Sequence, residues 1–471
     1  NLVSADISGL DLSKANINSL FTSSGLESLD MHGVTLNNMY LSYFPYSLKE
    51  IDMSGVTMKN GTDCFTFSSF SNLETIDLSN ATLNGINQFT FSSLSKLTTI
   101  DLSNFNAPDV VNLSAVFAGT PKLNDLKLTG MKLGKLVTMD SSFASTGYTK
   151  KIDLTGLDVS ELTSMSGIFS GAAVSEVDIS GWQALKLGKL DGTFVGATNL
   201  VKVDMSDSVY SSVTTLDTVF SSQSNLSLTD IDLSNTDFSK LTSMEAFFAN
   251  FPKLQIVNLE GTDFSNVTSM VNMFRNSTNL STVNMKNMKT GKLEAISQMF
   301  DGTTSLTSIN LKDLDLSTVT NMIGIVNGSG ITSVNLDNVD ISALTTLNRA
   351  FYGASKLKTF SMKNAKAANV TDIIEMFNGA SLLTTVDMSG TVMDKLAHTD
   401  YWFKDCAALK NVDISSVTLS TDLVEGEEQS NGYLFENVSS GLTVKVKDAK
   451  AKEFVDAQFD FCDMTGTATI A

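Results

Sequence analysis

The chain has 471 residues, 51 of them acidic and 32 basic, for a net charge of −19, which argues against nucleic acid or an anionic membrane as its main partner. Apolar residues make up 42% and charged residues 18%, with 4 Pro against 30 Gly, which excludes a disordered or linker-rich chain. Three Cys and two His are thin material for a metal site or a nucleophilic triad, so neither enzyme nor cofactor is expected.

The first 25 residues read as a degenerate N-terminal turn or cap. The sequence starts at Asn1 without a basic-then-apolar leader, so an export signal is expected to have been removed or never present. Tyr40, Tyr43, Phe44, Pro45 and Tyr46 cluster in a short early turn, where packing under the N-terminal cap is expected over an exposed contact site. From residue 26 to about 420 the text repeats. Asp77-Leu78, Asp101-Leu102, Asp153-Leu154, Asp178-Ile179, Asp204-Met205 and Asp232-Leu233, with Lys127-Leu128 filling the gap, recur at steps within a few residues of 26, and Asn258-Leu259, Asn284-Met285, Asn310-Leu311 and Asn335-Leu336 continue the series. Roughly seventeen such units follow one another without a linker, as in a solenoid array.

Each unit has two halves. Leu280-x-x-Val283-x-Met285 and Leu306-x-x-Ile309-x-Leu311 show the period-2 alternation of a short strand with one face buried. Val267, Met270, Met273 and Phe274 stand at helical spacing, with Thr268 placed to cap a first turn, so the second half is expected to be a short helix or 3₁₀ segment. Leu241–Phe248, Val319–Val326 and Val370–Phe377 repeat that text. No unit of this size buries its own apolar side, so neighbours must stack. Phe91, Phe117, Phe143, Phe169, Phe194, Phe220, Phe248, Phe274, Phe300, Phe351, Phe377 and Phe403 mark the expected spine, each ring contributing about 1.5–3 kcal/mol if fully buried.

Residues 421–471 read as a C-terminal cap. Residues 421–432, including Glu425-Gly426-Glu427-Glu428, suggest a disordered loop; Leu442–Lys447 alternates as a strand, and Asp448–Phe459 reads as a helix with Ala449, Phe454, Val455 and Phe459 on its inner side. Cys406 and Cys462 could bridge the last turn to this cap or remain free, and spacing does not decide between the two.

The L-x-x-Φ-D-Φ-S text (Φ, apolar), combined with Val267-Thr268-Ser269-Met270, Met273-Phe274 and Val283-Asn284-Met285, resembles the BspA-like leucine-rich-repeat surface proteins, in particular a subgroup common in mycoplasmas and gut bacteria. The resemblance covers nearly the whole chain. It departs where the leucine-rich-repeat Asn is replaced by Phe105, Met131, Leu157, Trp182, Thr262, Met288 or Leu314, and the family's Trp and Cys survive only at Trp182 and Cys406, both expected in the core. It implies a right-handed α/β leucine-rich-repeat solenoid with a parallel concave sheet. It also implies an adhesin outside a bacterial cell, attached or secreted, that binds a host or microbial surface protein or glycan. No apolar run approaches the ~20 residues of a membrane-spanning helix, so this segment is not expected to insert in a bilayer. The rival reading is a structural spacer or coat element without a specific ligand.

Two columns of outward strand positions are candidate surfaces. The recurring Asp forms a column in which neighbours about 4.8 Å apart would repel by roughly 0.9 kcal/mol in water. It reads either as a cation stripe, for example for Ca²⁺, or as a set of hydrogen-bond acceptors on an exposed sheet. From Asn258 through Asn284, Asn310 and Asn335 the column loses its charge, while Glu260, Lys286, Lys312, Asp337 and Lys363 appear beside it. On so acidic a protein this local reversal is the candidate ligand-binding patch, with a hydrogen-bonded Asn ladder flanked by solvated charges as the alternative. His32 and His398 lie in distant turns and read as ordinary surface or half-buried residues.

Overall fold

A computed structural model describes residues 2–17, 20–22, 24–61, 64–220, 227–419 and 433–471. The expected loop at 421–432 lies outside the described residues. The chain divides into two compact units, Asn1–Phe238 and Ser239–Ala471. Both are parallel-strand solenoids, together ~17 turns of ~26 residues with little helix.

Three faces recur in each turn. The main face in residues 1–238 pairs Ser4–Asp6, Ser28–Asp30, Glu50–Asp52, Thr75–Asp77, Thr99–Asp101 and Asp125–Lys127 in one parallel register. It resumes with Lys151–Asp153, Glu176–Asp178, Lys202–Asp204 and Asp230–Asp232. A second face carries the two-residue strands Asp11–Leu12, Thr35–Leu36, Thr57–Met58, Thr82–Leu83, Asn106–Ala107 and Lys132–Leu133. The third is a turn face.

That turn face holds neither the helix nor the 3₁₀ segment expected at Val267–Phe274, although Leu41–Tyr43 in an early turn is 3₁₀. Met270, Asn272, Phe274 and Asn276 donate their N–H groups to Ala295, Ser297, Met299 and Asp301 of the next turn at 2.8–3.0 Å. The residues between them fold back within the turn, Met273 N to Met270 O and Arg275 N to Asn272 O, at 3.2 and 3.0 Å. Half the donors therefore leave the segment, whereas a helix keeps them for its own carbonyls. Asn272 and Asn276 both sit at φ 58°, a left-handed conformation that no α-helix contains. Thr268 caps nothing: its hydroxyl donates to Thr242 O at 3.3 Å, one turn back. The i, i+3, i+4 spacing of apolar residues belongs equally to this tight bend, which turns the same positions inward.

Inside the turn face the phenylalanine spine forms as expected. Phe67, Phe91, Phe117, Phe143, Phe169, Phe194 and Phe220 stack with centroids 5.1–5.8 Å apart in the first unit. Phe248, Phe274 and Phe300 stack at 5.5 and 5.4 Å in the second, and Phe351, Phe377, Phe403 and Phe435 at 5.5–5.8 Å. Buried Val326 occupies the intervening place. Trp182 and Cys406 are buried as expected; the indole donates to Leu154 O at 3.0 Å and the thiol to Phe377 O at 3.1 Å. Cys406 and Cys462 are free thiols, and burial raises the pKa of both. In the early aromatic cluster only Phe44 and Pro45 are buried. Tyr40, Tyr43 and Tyr46 remain exposed, against the expectation that the group packs as a whole.

The C-terminal end is a β-α-β unit. Leu442–Val446 pairs with Asn411–Asp413, the Ala449–Phe461 helix starts at Asp448, whose carboxylate accepts from Ala451 N at 2.9 Å, and Gly466–Ile470 then pairs parallel with Leu442–Val446. The helix buries Ala451, Phe454, Val455, Gln458 and Phe459, so Ala451 takes the inner place expected for Ala449, which is exposed. The last strand was not legible in Gly466-Thr467-Ala468-Thr469-Ile470, where small residues blur the alternation. No described helix is long and apolar enough to cross a membrane.

Replacing Phe274 with Ala removes the ring between Phe248 and Phe300 and should destabilise residues 239–471 by about 3–5 kcal/mol. A urea midpoint unchanged from the parent would show that the stack is not what holds the turns.

Candidate binding surface on the main face

The recurring Asp is first of all a turn residue. One carboxylate oxygen of Asp77, Asp101, Asp178 and Asp204 accepts the N–H of the residue two positions on, at 2.8, 2.9, 3.1 and 3.1 Å. Such Asx-turns hold the bend that ends each main-face strand. Asn performs the same task with its amide oxygen. Asn258, Asn284, Asn310 and Asn335 accept from the backbone of Glu260, Lys286, Lys312 and Asp337 at 3.2, 3.2, 3.3 and 2.9 Å. The patch thus loses charge without losing the turn.

The Asp column is also far from bare. Lys127 reaches Asp101 at 2.7 Å and Lys151 reaches Asp178 at 2.8 Å, each from the neighbouring turn. For a cation, one group among the described residues gathers ligand atoms within 4.8 Å: Asp30, His32 and Asp52. It is partly spoken for, since Asp30 Oδ1 takes both His32 N and His32 Nδ1 at 2.9 Å and Asp52 Oδ1 takes Ser54 N at 2.8 Å. The hydrogen bond to Asp30 raises the pKa of His32. His398 has its own partner, Asp372, at 3.8 Å.

Within residues 239–471 the structure brings the predicted patch residues onto one face. Asn284 Nδ2 donates to Asn258 Oδ1 and to Glu260 Oε2, both at 3.0 Å, so the Asn ladder is real between these two turns. Lys286 lies 3.8 Å from Glu260, and Lys363 lies 2.9 Å from Asp387. Asp337 accepts from Ser361 Oγ at 2.5 Å and from Lys363 N at 2.8 Å, taking the place of the carboxylate or amide acceptor that position 361 lacks. Lys312 is exposed and has no ion-pair partner among the described residues.

The main-face ladder is interrupted here. Leu259 N and Gly261 N donate to Asn284 O and Lys286 O at 2.8 and 2.9 Å, but the matching bonds from Met285 and Asn287 are missing, and the next turn forms a 3₁₀ segment, Leu311–Asp313, instead of a strand. Two shallow depressions result. One of about 630 Å³ is lined by residues including Asn284, Lys286 and Asn310, and one of about 440 Å³ by residues including Lys312, Asp337 and Asp340. Asn258, Glu260, Asn335 and Lys363 line neither. The sequence signals the changed residue types but not the break, because Leu306-x-x-Ile309-x-Leu311 has the pattern of every other strand.

Two family models match the chain. One, described as Mycoplasma protein of unknown function, DUF285, matches residues 85–207, 137–255, 214–337 and 329–434; the other, the BspA type leucine-rich repeat region, matches residues 17–141. The chain belongs to the DUF285 family and is a BspA-like leucine-rich-repeat protein. No curated protein matches it. Among solved structures it is similar to Toll in the Drosophila Toll–Spätzle complex, at 15% identity over 94% of this chain and 58% of that one, with a TM-score of 0.30. It is also similar to a Leptospira interrogans leucine-rich-repeat protein, at 13% identity over 99% and 100% of the two chains, TM-score 0.27, and to the APL1 leucine-rich-repeat domain, at 13% over 83% and 87%, TM-score 0.33. The BspA-like chain spans little more than half of Toll's chain, and its fold rests on the strand registers above.

Two outcomes follow for this leucine-rich-repeat face. Asp77→Asn should leave stability nearly unchanged, whereas Asp77→Ala should lower it by about 1 kcal/mol, the usual net worth of one such hydrogen bond; equal effects in thermal melts would refute the turn role. Asp340, whose pKa is lowered to about 2 by Lys366 and then by Ser342, gains its stabilising ionisation above the ordinary 3.8 and loses it as pH falls towards 2. Carboxyl-carbon NMR titration should therefore place Asp340 near 2 in the parent and closer to 3.8 in Lys366→Met.

Proposed function

We propose that the chain is a binding module displayed outside a bacterial cell, attached or secreted, whose main face between Asn258 and Lys363 contacts a host or microbial surface protein or a glycan without catalysis. The observation that carries this reading is a coincidence of place. The stretch in which the Asp column turns neutral and lysines appear beside it is the stretch in which the ladder of residues 239–471 opens into two depressions. Leucine-rich-repeat arrays are commonly interaction scaffolds, and family likeness supports a surface role. Function is a property of the site and not of the fold, so the patch has to be tested directly.

A spacer or coat role without a specific ligand has one observation in its favour. The Lys286–Glu260 and Lys363–Asp387 pairs satisfy much of the patch internally.

The test is binding of the purified chain to epithelial cells, mucin and immobilised matrix proteins, compared with a variant in which Asn284, Lys286, Asn310, Lys312 and Lys363 are Ala. If the patch is the contact, the variant should bind about tenfold more weakly or worse, as expected when central interface residues are truncated. Binding by both proteins to the same extent would remove the patch from the reading. Absence of binding to every surface would favour the spacer.

A further inference from the structure

The first unit contains an opening that the repeat does not require. Among the described main-face strands of residues 1–238, successive partners are hydrogen-bonded except Asp125–Lys127 and Lys151–Asp153, which stand apart across a cleft of about 640 Å³. The turn face behind it is unbroken. Met139, Ser141 and Phe143 donate to Ser164, Ser166 and Ile168 at 2.8–2.9 Å, and Phe117, Phe143 and Phe169 stack at 5.1 and 5.3 Å. The cleft is therefore an opening in front of a closed turn face, and the second-face strand Lys132–Leu133 likewise pairs with no strand of the next turn.

Its cause is local. The leucine that anchors other strands, such as Leu123 before Leu126, is replaced by exposed Thr149 before Ile152. The buried Tyr148 ring takes the vacant place from one residue earlier, with its hydroxyl 3.5 Å from Leu126 O. A larger ring in a shifted register keeps the two strands from closing to the usual spacing of about 4.8 Å.

The cleft wall has the hydrogen-bonding pattern of a free sheet edge. Leu102 N and Asn104 N donate to Lys127 O and Thr129 O at 2.8 Å, but the equivalent donors one turn on, Leu128 N and Gly130 N, have no partner among the described residues. Thr98 O accepts from Asn124 N and Asp125 N at 3.0 Å, yet Asn124 O accepts nothing there. Leu128, Met131 and Leu157 are half-exposed in the cleft, where Leu102 and Phe105 of the preceding turn are fully buried.

We propose that this cleft takes an extended acidic peptide, which pairs with the free edge of Asp125–Lys127 as an added parallel strand. Alternating donors and acceptors on a strand edge are matched by another peptide backbone, and alternate side chains of the incoming strand cover the half-exposed apolar floor. The cleft is lined by Lys127, Lys132 and Lys151 with one carboxylate, Asp153, in a chain of net charge −19. Lys127 and Lys151 already hold Asp101 and Asp178, so Lys132, which has no ion-pair partner among the described residues, is the one that meets an incoming carboxylate. The site lies wholly within residues 1–238 and does not depend on the patch at Asn258–Lys363.

The experiment uses the whole chain and a fluorescent acetylated peptide of alternating Glu and Val, seven residues long. A second peptide has the same side chains, with alternate backbone nitrogens methylated. In the free protein the amides of Leu128 and Gly130 should exchange rapidly with deuterium; the first peptide should slow both by about tenfold, and the methylated peptide should bind at least about tenfold more weakly, since strand pairing is removed and charge is not. Lys132→Glu should weaken the first peptide several-fold. Leu128→Pro should abolish its binding if that variant keeps the parent's circular dichroism, and the methylated peptide decides the matter if it does not. Equal binding of the two peptides, protection confined to other amides, or no saturable binding at millimolar peptide would overturn the proposal.

Discussion

Everything in this architecture depends on the turn face, where successive turns are tied together by backbone hydrogen bonds in front of a column of stacked phenylalanines. That face is continuous through residues 64–196, and again through 244–379, even where the main face is open. The reason is physical economy of a small unit. A turn of ~26 residues has no interior of its own, and an aromatic ring placed against the same ring of the next turn supplies the largest apolar area for a single position. Backbone donors at alternate residues then have no better partner than the neighbouring turn, which fixes the stacking distance. Once those constraints are met, the main face is free to vary.

The variation on the main face follows from how little its Asx-turn demands. A single side-chain oxygen, two residues before the N–H it accepts, is sufficient, so Asp and Asn exchange without harm while their charge differs by one. Charge along the column can therefore be set independently of folding. Where it stays acidic, lysines from adjacent turns relieve the repulsion, as at Lys127–Asp101, Lys151–Asp178 and Lys445–Asp413. Pairs this exposed contribute little to stability, and their effect is to keep a row of like charges tolerable. Where the column turns to Asn, the surface becomes neutral and polar, a better footing for hydrogen bonding to a macromolecule than a field of carboxylates.

Both interruptions of the main face have the same mechanics but different contents. Near Asn284–Lys312 the opening is shallow and polar and coincides with the Asn patch, and near Leu126–Leu157 it exposes apolar positions that elsewhere are sealed. Neither weakens the turn face behind it. A solenoid can thus acquire recesses without an inserted domain, simply by letting strands part in front of an unbroken turn face.

The recurrent spacing of Asp, Leu and Phe was enough by itself to establish a stacked solenoid and its buried spine, because both follow from periodic burial, whereas the leucine-rich-repeat class and the core places of Trp182 and Cys406 came from the resemblance to the BspA-like family. The Asn258–Lys363 change of residue type was equally legible, since charge reads directly from sequence. Three features were decided only in the tertiary structure. The second half of the turn at Val267–Phe274 is a bend and not a helix, because its donors serve the next turn, a choice that apolar spacing does not encode. The breaks after Lys127 and Asn284 depend on whether neighbouring strands meet, and only Thr149, in place of a leucine, hinted at the first. The final Gly466–Ile470 strand exists because Leu442–Val446 offers it an edge, a partner that no local pattern reveals.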